Sequence, residues 1–341
     1  MLDHQTVLDA LKRAFPGEQG ISLVAQHADA RLSLPKRRLH VFIPDCHMLT
    51  AQDAAAYPKT GFFQDADLLK LLRTLTKLKA EHAGQLTVWH LGDLLDIWRA
   101  RGGRGPAVEA DHIAAEHSEI VDLLRYGAPN GVGASLIAGN HDYVLHELAE
   151  WRAARYRILQ NEDPEGGDIL VLHGDIFDWI ERLPDEIQAR AVRFARWHAS
   201  GKKDLFNEDE VVAEVNRGVP AGDQAIGKGE VTLPAKGKVI DGEGGKADAP
   251  NKRFYQGAKK LAAALKKRGH KIRLVVIGHT HWARLVQGQL SKSEPFVLMD
   301  CGAWTGHCRL GSAEPWLHNG QIGVLAGDEA RLYQVGWREV G

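Results

Sequence analysis

Five short stretches set carboxylates, amides and imidazoles side by side. They are Pro-Asp-Cys-His at 44–47, Gly-Asp-Leu-Leu-Asp at 92–96, Gly-Asn-His-Asp at 139–142, His-Gly-Asp at 173–175 and Gly-His-Thr-His at 278–281. Singly each is weak. An Asp-x-His is common in turns, and Asp142 alone reads as an N-cap for "YVLHELAEW". Jointly they form an oxygen and nitrogen donor set that suits Mn, Fe, Zn or Co rather than an ion that prefers thiolate. His279 and His281 are two residues apart. Where a chain turns just past a strand, two such rings can reach neighbouring ions, one each. A carboxylate has two oxygens, so one Asp can bridge ions ~3.5–4 Å apart.

The elements that must carry these groups are legible around them. Runs at 38–45, 85–93, 134–140, 168–175, 272–279 and 295–302 are short, rich in Val, Ile and Leu, and bounded by Gly, Asp or Asn, which predicts buried strands. Each of the five motifs follows one of them. Helical leucine spacing at 65–82 and 109–127, and a basic stretch at 255–271, predict intervening helices. Strand–helix alternation predicts an α/β fold, and in open α/β sheets ligands gather at the carboxyl ends of strands.

The chain has 341 residues and a formal charge of −1, so no global basic field favours nucleic acid. Its three cysteines, Cys46, Cys301 and Cys308, are too few for a disulfide scaffold and fit a reducing compartment. The N-terminus reads as an amphipathic helix rather than a secretory signal, and no apolar run approaches the ~20 residues of a membrane span. A cytoplasmic location is expected; peripheral membrane contact stays open, and nothing here fixes the oligomeric state. One domain over 1–341 is expected, with an insertion at 179–254. Its start, 185–199, is helix-like, and 201–250 holds nine glycines among many charges.

In order and spacing, the five motifs resemble the calcineurin-like metallophosphoesterase superfamily. The resemblance implies a four-layer α/β/β/α sandwich with a cap-like insertion. It also implies two divalent metal ions, manganese first, with Fe, Zn or Co as alternatives. Asp45, His47 and His281 would hold one ion, Asn140, His173 and His279 the other, and Asp93 would bridge them. His141 would face the substrate and assist the leaving oxygen, with Asp96 fixing its tautomer; Asp142 and Asp175 would be supporting. Two cations sharing a water lower its pKa from about 16 to ~7, giving hydroxide for in-line attack on phosphorus. The expected partner is a small-molecule phosphoester or pyrophosphate. Asn140 and three arginines of "RARGGRG", Arg99, Arg101 and Arg104, are candidates to meet it, since guanidinium suits bidentate phosphate contact. His307 and Trp304 are candidates for the site mouth, with core packing the alternative for Trp304; Cys46 is read as packing, and His90, His112, His117 and His270 as ordinary residues.

The stretches "GDLLDIW", "HGDIFDWI", "GHTHWAR" and "MDCGAWTG" are similar to the UDP-2,3-diacylglucosamine pyrophosphatase branch. That branch commonly has Arg at the position of His141, an apolar cap in place of the charged 201–250, and a shorter chain. A nuclease is disfavoured by the neutral charge. The arginine that follows the second Asp of the GDxxD motif in Ser/Thr protein phosphatases is here Ile97. A non-enzymatic scaffold is expected to have lost ligand residues, and none is missing.

Overall fold

The structure is a computed structural model that describes residues 2–17, 20–54, 65–97, 100, 104–125, 130–177, 239–243, 250–304, 306–307, 316–318, 320–336 and 338–340. Two six-stranded sheets form its centre. The first is built from β1 (Ile21–Ala28), β2 (Leu39–Ile43), β3 (Leu86–His90), β4 (Ser135–Leu136), β13 (Gln321–Ala326) and β14 (Glu329–Val335), in the order β1-β14-β13-β2-β3-β4. The second is built from β5 (Tyr156–Leu159), β6 (Asp168–Leu172), β7 (Ile240–Asp241), β8 (Ile272–Ile277), β9 (Arg284–Ser291) and β10 (Glu294–Asp300), in the order β5-β6-β8-β10-β9-β7. Three short antiparallel strands, β11 (Gly306–His307), β12 (Trp316–His318) and β15 (Arg338–Val340), make a small third sheet.

Strand geometry explains the layers. Successive side chains point to opposite faces, and here both faces are covered. In β2, Val41 and Ile43 face the outer helices while Phe42 faces the second sheet. In β8, Leu274 and Val276 enter the core between the sheets, and Val275 and Ile277 enter the core on the far side. The strands β6 and β10 alternate in the same way. Continuous apolar runs are what such doubly buried strands require.

Three separate cores therefore lie between four layers. Outside the first sheet pack α1 (His4–Ala14), α3 (Asp65–Glu81), α4 (Pro106–Glu116) and α5 (Ser118–Leu124); the short α2 (Ala51–Ala54) follows the first motif. Leu68, Leu71, Leu72, Leu75 and Leu78 supply the buried stripe of α3. Outside the second sheet lies α6 (Pro250–Lys266), which presents Phe254, Tyr255, Ala258 and Ala262 to it. The expected α/β/β/α sandwich is the fold of this chain. Among the described residues, no helix is long and apolar enough to cross a membrane.

All six strands expected from the sequence are present, and six further strands of the two sheets flank or extend them. The helix expected over 109–127 is two helices, broken at His117, whose ring nitrogens instead approach Leu49 O (2.8 Å) and Asp65 Oδ1 (3.0 Å). The helix expected from 255 begins at Pro250 and ends at Lys266. Of the expected insertion, residues 179–238 and 244–249, including the helix-like 185–199, lie outside the described residues. Its far end belongs to the core layers, since β7 pairs in parallel with β9.

Candidate metal centre

The strands β2, β3 and β4 run parallel, as do β6, β8 and β10. All five motifs emerge at their carboxyl ends. Backbone bonds then lock the loops to each other across the sheets. The N–H groups of Cys46 and His47 donate to Asp93 O (3.0 and 2.8 Å), Trp304 N–H to Asp45 O (2.7 Å) and Gly278 N–H to His173 O (2.9 Å). Buried Asp142 does not cap the short helix after it. Its carboxylate accepts from the N–H groups of Gly139 (2.7 Å) and Leu94 (2.7 Å), stitching the second motif to the third.

These loops are tight and strained. His47, Asp93, His279 and His281 adopt left-handed φ of 52°, 51°, 67° and 60°, a conformation that costs a residue with a Cβ about 1–3 kcal/mol. Two glycines make room for the carboxylates. A Cβ on Gly139 would stand 2.1 Å from Asp93 Oδ1, and one on Gly278 would stand 2.1 Å from Asp45 Oδ1.

Seven side chains named from the sequence converge in this space: Asp45, His47, Asp93, Asn140, His173, His279 and His281. Two triads, Asp45/His47/His281 and Asp93/His173/His279, each bring their ligand atoms within 4.8 Å of one another. In the first, His281 Nε2 lies 3.0 Å from His47 Nε2 and 3.3 Å from Asp45 Oδ2. In the second, His173 Nε2 lies 3.2 Å from Asp93 Oδ2, 3.2 Å from His279 Nδ1 and 3.0 Å from Asn140 Oδ1. One oxygen serves both sets, for Asp93 Oδ2 is also 3.5 Å from His47 Nε2. A third group, His47/Asp93/His141, brings His141 within the same reach.

The donor chemistry fits cations. His173 Nδ1 faces Leu91 O at 2.9 Å and must carry a hydrogen to bond it. Its Nε2 faces a carbonyl and a carboxylate oxygen, an arrangement that a proton or a bound cation satisfies. Burial alone would depress the His173 pKa, yet the Asp93 and Asp45 carboxylates hold it well above the usual histidine range. Burial likewise opposes ionisation of Asp93, and the His173 and His141 rings overcome it. Asp142, buried beside Asp93, is pushed up to about 7. His47 is held below the ordinary value, first by burial and then by His141.

His141 stands beside this cluster. Its Nδ1 meets Asp96 Oδ1 at 2.8 Å, its N–H donates to Asp93 Oδ1 at 2.9 Å, and its ring packs edge-on to His47 at 4.6 Å. Fully buried Asp96 reaches further than expected, for its Oδ2 lies 3.4 Å from His47 Nδ1.

The remaining candidates fall elsewhere. Arg99 and Arg101, and the His307 side chain, lie outside the described residues. Arg104 is exposed before α4, where its N–H donates to Glu109 Oε1 (3.1 Å); among the described residues it makes no ion pair with the centre. Trp304 is fully buried and donates Nε1–H to Gln321 O (2.8 Å), so it is packing, not mouth. Cys46 is buried packing as expected, with its thiol pushed far up by burial. His90, read from the sequence as ordinary, lies beneath the centre: its Nδ1 accepts from Gly92 N–H (3.3 Å), which leaves Nε2–H toward Cys46 Sγ (3.5 Å). Its place two residues before the Gly-Asp of the second motif was the only signal.

A family model described as calcineurin-like phosphoesterase matches residues 41–283, a span that contains all five motifs. No curated protein matches the chain significantly. Among solved structures, Haemophilus influenzae NAD nucleotidase aligns over 89% of this chain and 49% of that chain, with 10% identity and a TM-score of 0.28. The chain thus spans about half the length of that protein, and so loose an alignment carries no argument.

Proposed function

The chain belongs to the calcineurin-like phosphoesterase family; from that premise we propose a metal-dependent phosphoesterase whose dimetal centre hydrolyses a small-molecule phosphoester or pyrophosphate. The observation that carries the reading is the single oxygen, Asp93 Oδ2, standing between two ligand triads. Asp45, His47 and His281 would hold one ion; His173, His279 and Asn140 the other; Asp93 would belong to both. Bound divalent ions supply an acidified water and offset charge on the phosphoryl oxygens. Manganese is the first choice for this mixed oxygen and nitrogen donor set, with Fe, Zn and Co also compatible.

The chain's own groups do the rest. Asp96 holds His141 through Nδ1, which turns Nε2 outward as the proton carrier for the leaving oxygen. His141 is the partly exposed member of that pair, with 17% of its side chain open against 0% for Asp96, so it is the one that substrate can meet. Its backbone N–H, on Asp93 Oδ1, ties it to the bridging carboxylate.

Turnover of bis- and mono-(p-nitrophenyl) phosphate by metal-stripped protein reconstituted with Mn²⁺ tests the reading. Hydrolysis that follows two bound ions is expected; no turnover with any divalent ion overturns it. His141→Ala is expected to lower kcat roughly 10²–10⁴-fold while both ions stay bound. A second reading, a lipid-linked pyrophosphate as substrate, draws on the branch-like motifs and on exposed apolar Ile176, three residues past His173. Release of nucleoside monophosphate from UDP-2,3-diacylglucosamine, followed by ³¹P resonance, decides it.

A further inference from the structure

We infer that Thr280 is a positioning residue that sets the two metal-facing histidines on either side of it, working through buried Asp300; the inference rests on the dimetal reading above. The strand order places β10 between β8 and β9. Asp300, its last residue, is in register with Ile277 at the end of β8 and with Arg284 at the start of β9. The turn from 278 to 283 must therefore pass over the end of β10, and Asp300 is the group beneath it.

Thr280 reaches down from that turn. Its Oγ1–H donates to Asp300 Oδ2, and the same oxygen accepts from Trp282 N–H at 3.2 Å. His279 and His281, its neighbours, point the other way, into the centre. Both have left-handed φ, and such backbone persists only where its surroundings hold it. The anchor is itself fixed. Asp300 is fully buried, its charge is met by Arg284 Nη2 at 3.0 Å, and Arg284 is buried too. The Arg284 guanidinium lies 6.0 Å from the Phe254 ring centre, and that ring lies 5.9 Å from His279. One hydroxyl, acting as donor and acceptor, thus fastens the turn that gives one imidazole to each triad.

The chemistry makes a sharp distinction between replacements. Serine keeps both hydrogen-bonding roles, whereas valine keeps the shape and loses both. The test is titration of metal-stripped wild type, Thr280→Val and Thr280→Ser with Mn²⁺ by calorimetry, well below each variant's melting temperature. Groups that orient metal ligands typically change metal affinity by about 10–100-fold. We expect Thr280→Val to bind Mn²⁺ at least ~10-fold more weakly at one or both positions, and Thr280→Ser to bind as the wild type does. Thr280→Ala, which adds no bulk and leaves Asp300 its arginine, replaces the valine variant if that fails to fold. Wild-type affinity in the valine or alanine variant overturns the inference, and so does equal weakening in the serine variant, because a merely structural residue gives those results. A wild type that binds no Mn²⁺ overturns the dimetal reading and this inference together, which separates the two failures.

Discussion

Asp96 serves two imidazoles at once, with Oδ1 on His141 Nδ1 and Oδ2 facing His47 Nδ1. Under the proposed function a carboxylate in that position would do two jobs: turn His141 toward substrate, and orient a ring that would bind metal. The two jobs can be separated. Asp96→Asn keeps the size and one acceptor oxygen but removes the charge. If Asp96 acted only through His141, adding the substitution to His141→Ala would change nothing further, as groups acting as a unit are non-additive. The second contact predicts otherwise. In the His141→Ala background, Asp96→Asn is expected to weaken metal retention by roughly 10-fold. Metal content after graded chelator dialysis of the single and double variants is the measurement, and identical content in the His141→Ala and double variants sinks the second role.

Strand ends dictate what each motif can be. A glycine at the head of a motif gives room for a carboxylate from another loop, which is a different demand from positive φ. Gly278 shows the first: no unusual φ, but a Cβ would stand 2.1 Å from Asp45 Oδ1. Gly269, after α6, shows the second, with φ +91° and open space around it. Gly278→Ala is therefore expected to displace Asp45, cost about 1–3 kcal/mol of stability by overpacking and lower metal affinity. Gly269→Ala is expected to cost about 1–2 kcal/mol and leave metal binding unchanged. Urea unfolding and Mn²⁺ titration of the two variants check both halves. The same distinction explains what was legible beforehand. Strands buried on both faces declared themselves as apolar runs, and polar residues at their ends stood out by contrast. The strands β1, β9 and β14 alternate with exposed or half-buried positions such as Gln26, Gln287 and Gln334, so they gave no run, although the Gly327–Asp328 pair between β13 and β14 is a two-residue hairpin signal. Thr280, Asp300 and Arg284 are ordinary residue types, and their meaning lies in a cross-strand register that no local pattern contains.

The two sheets meet where the centre is assembled, and neither holds a complete triad. Asp45, His47, Asp93 and Asn140 follow strands of the first sheet; His173, His279 and His281 follow strands of the second. Whatever loosens the core between the sheets also pulls both triads apart. Two buried histidines, one of them in that core, make the sandwich sensitive to acid. His40 on β2 accepts from Trp89 Nε1–H at 3.1 Å, beside the Phe42 and Trp89 rings of the inter-sheet core. Burial first, and then Arg38, press its pKa down to about 4; burial also presses His90 down to about 4. The folded chain therefore binds fewer protons than the unfolded chain between about pH 6.5 and 4. Stability from this source is complete above about pH 6.5 and declines as the pH falls to about 4, by at most ~3 kcal/mol per histidine. His40→Gln keeps an acceptor for Trp89 and removes the titration. Urea unfolding of metal-stripped protein at pH 7, 6 and 5 is expected to show a shallower loss of stability in His40→Gln than in the wild type, since contributions from every other group are common to both. Parallel curves would place the acid sensitivity of the sandwich elsewhere.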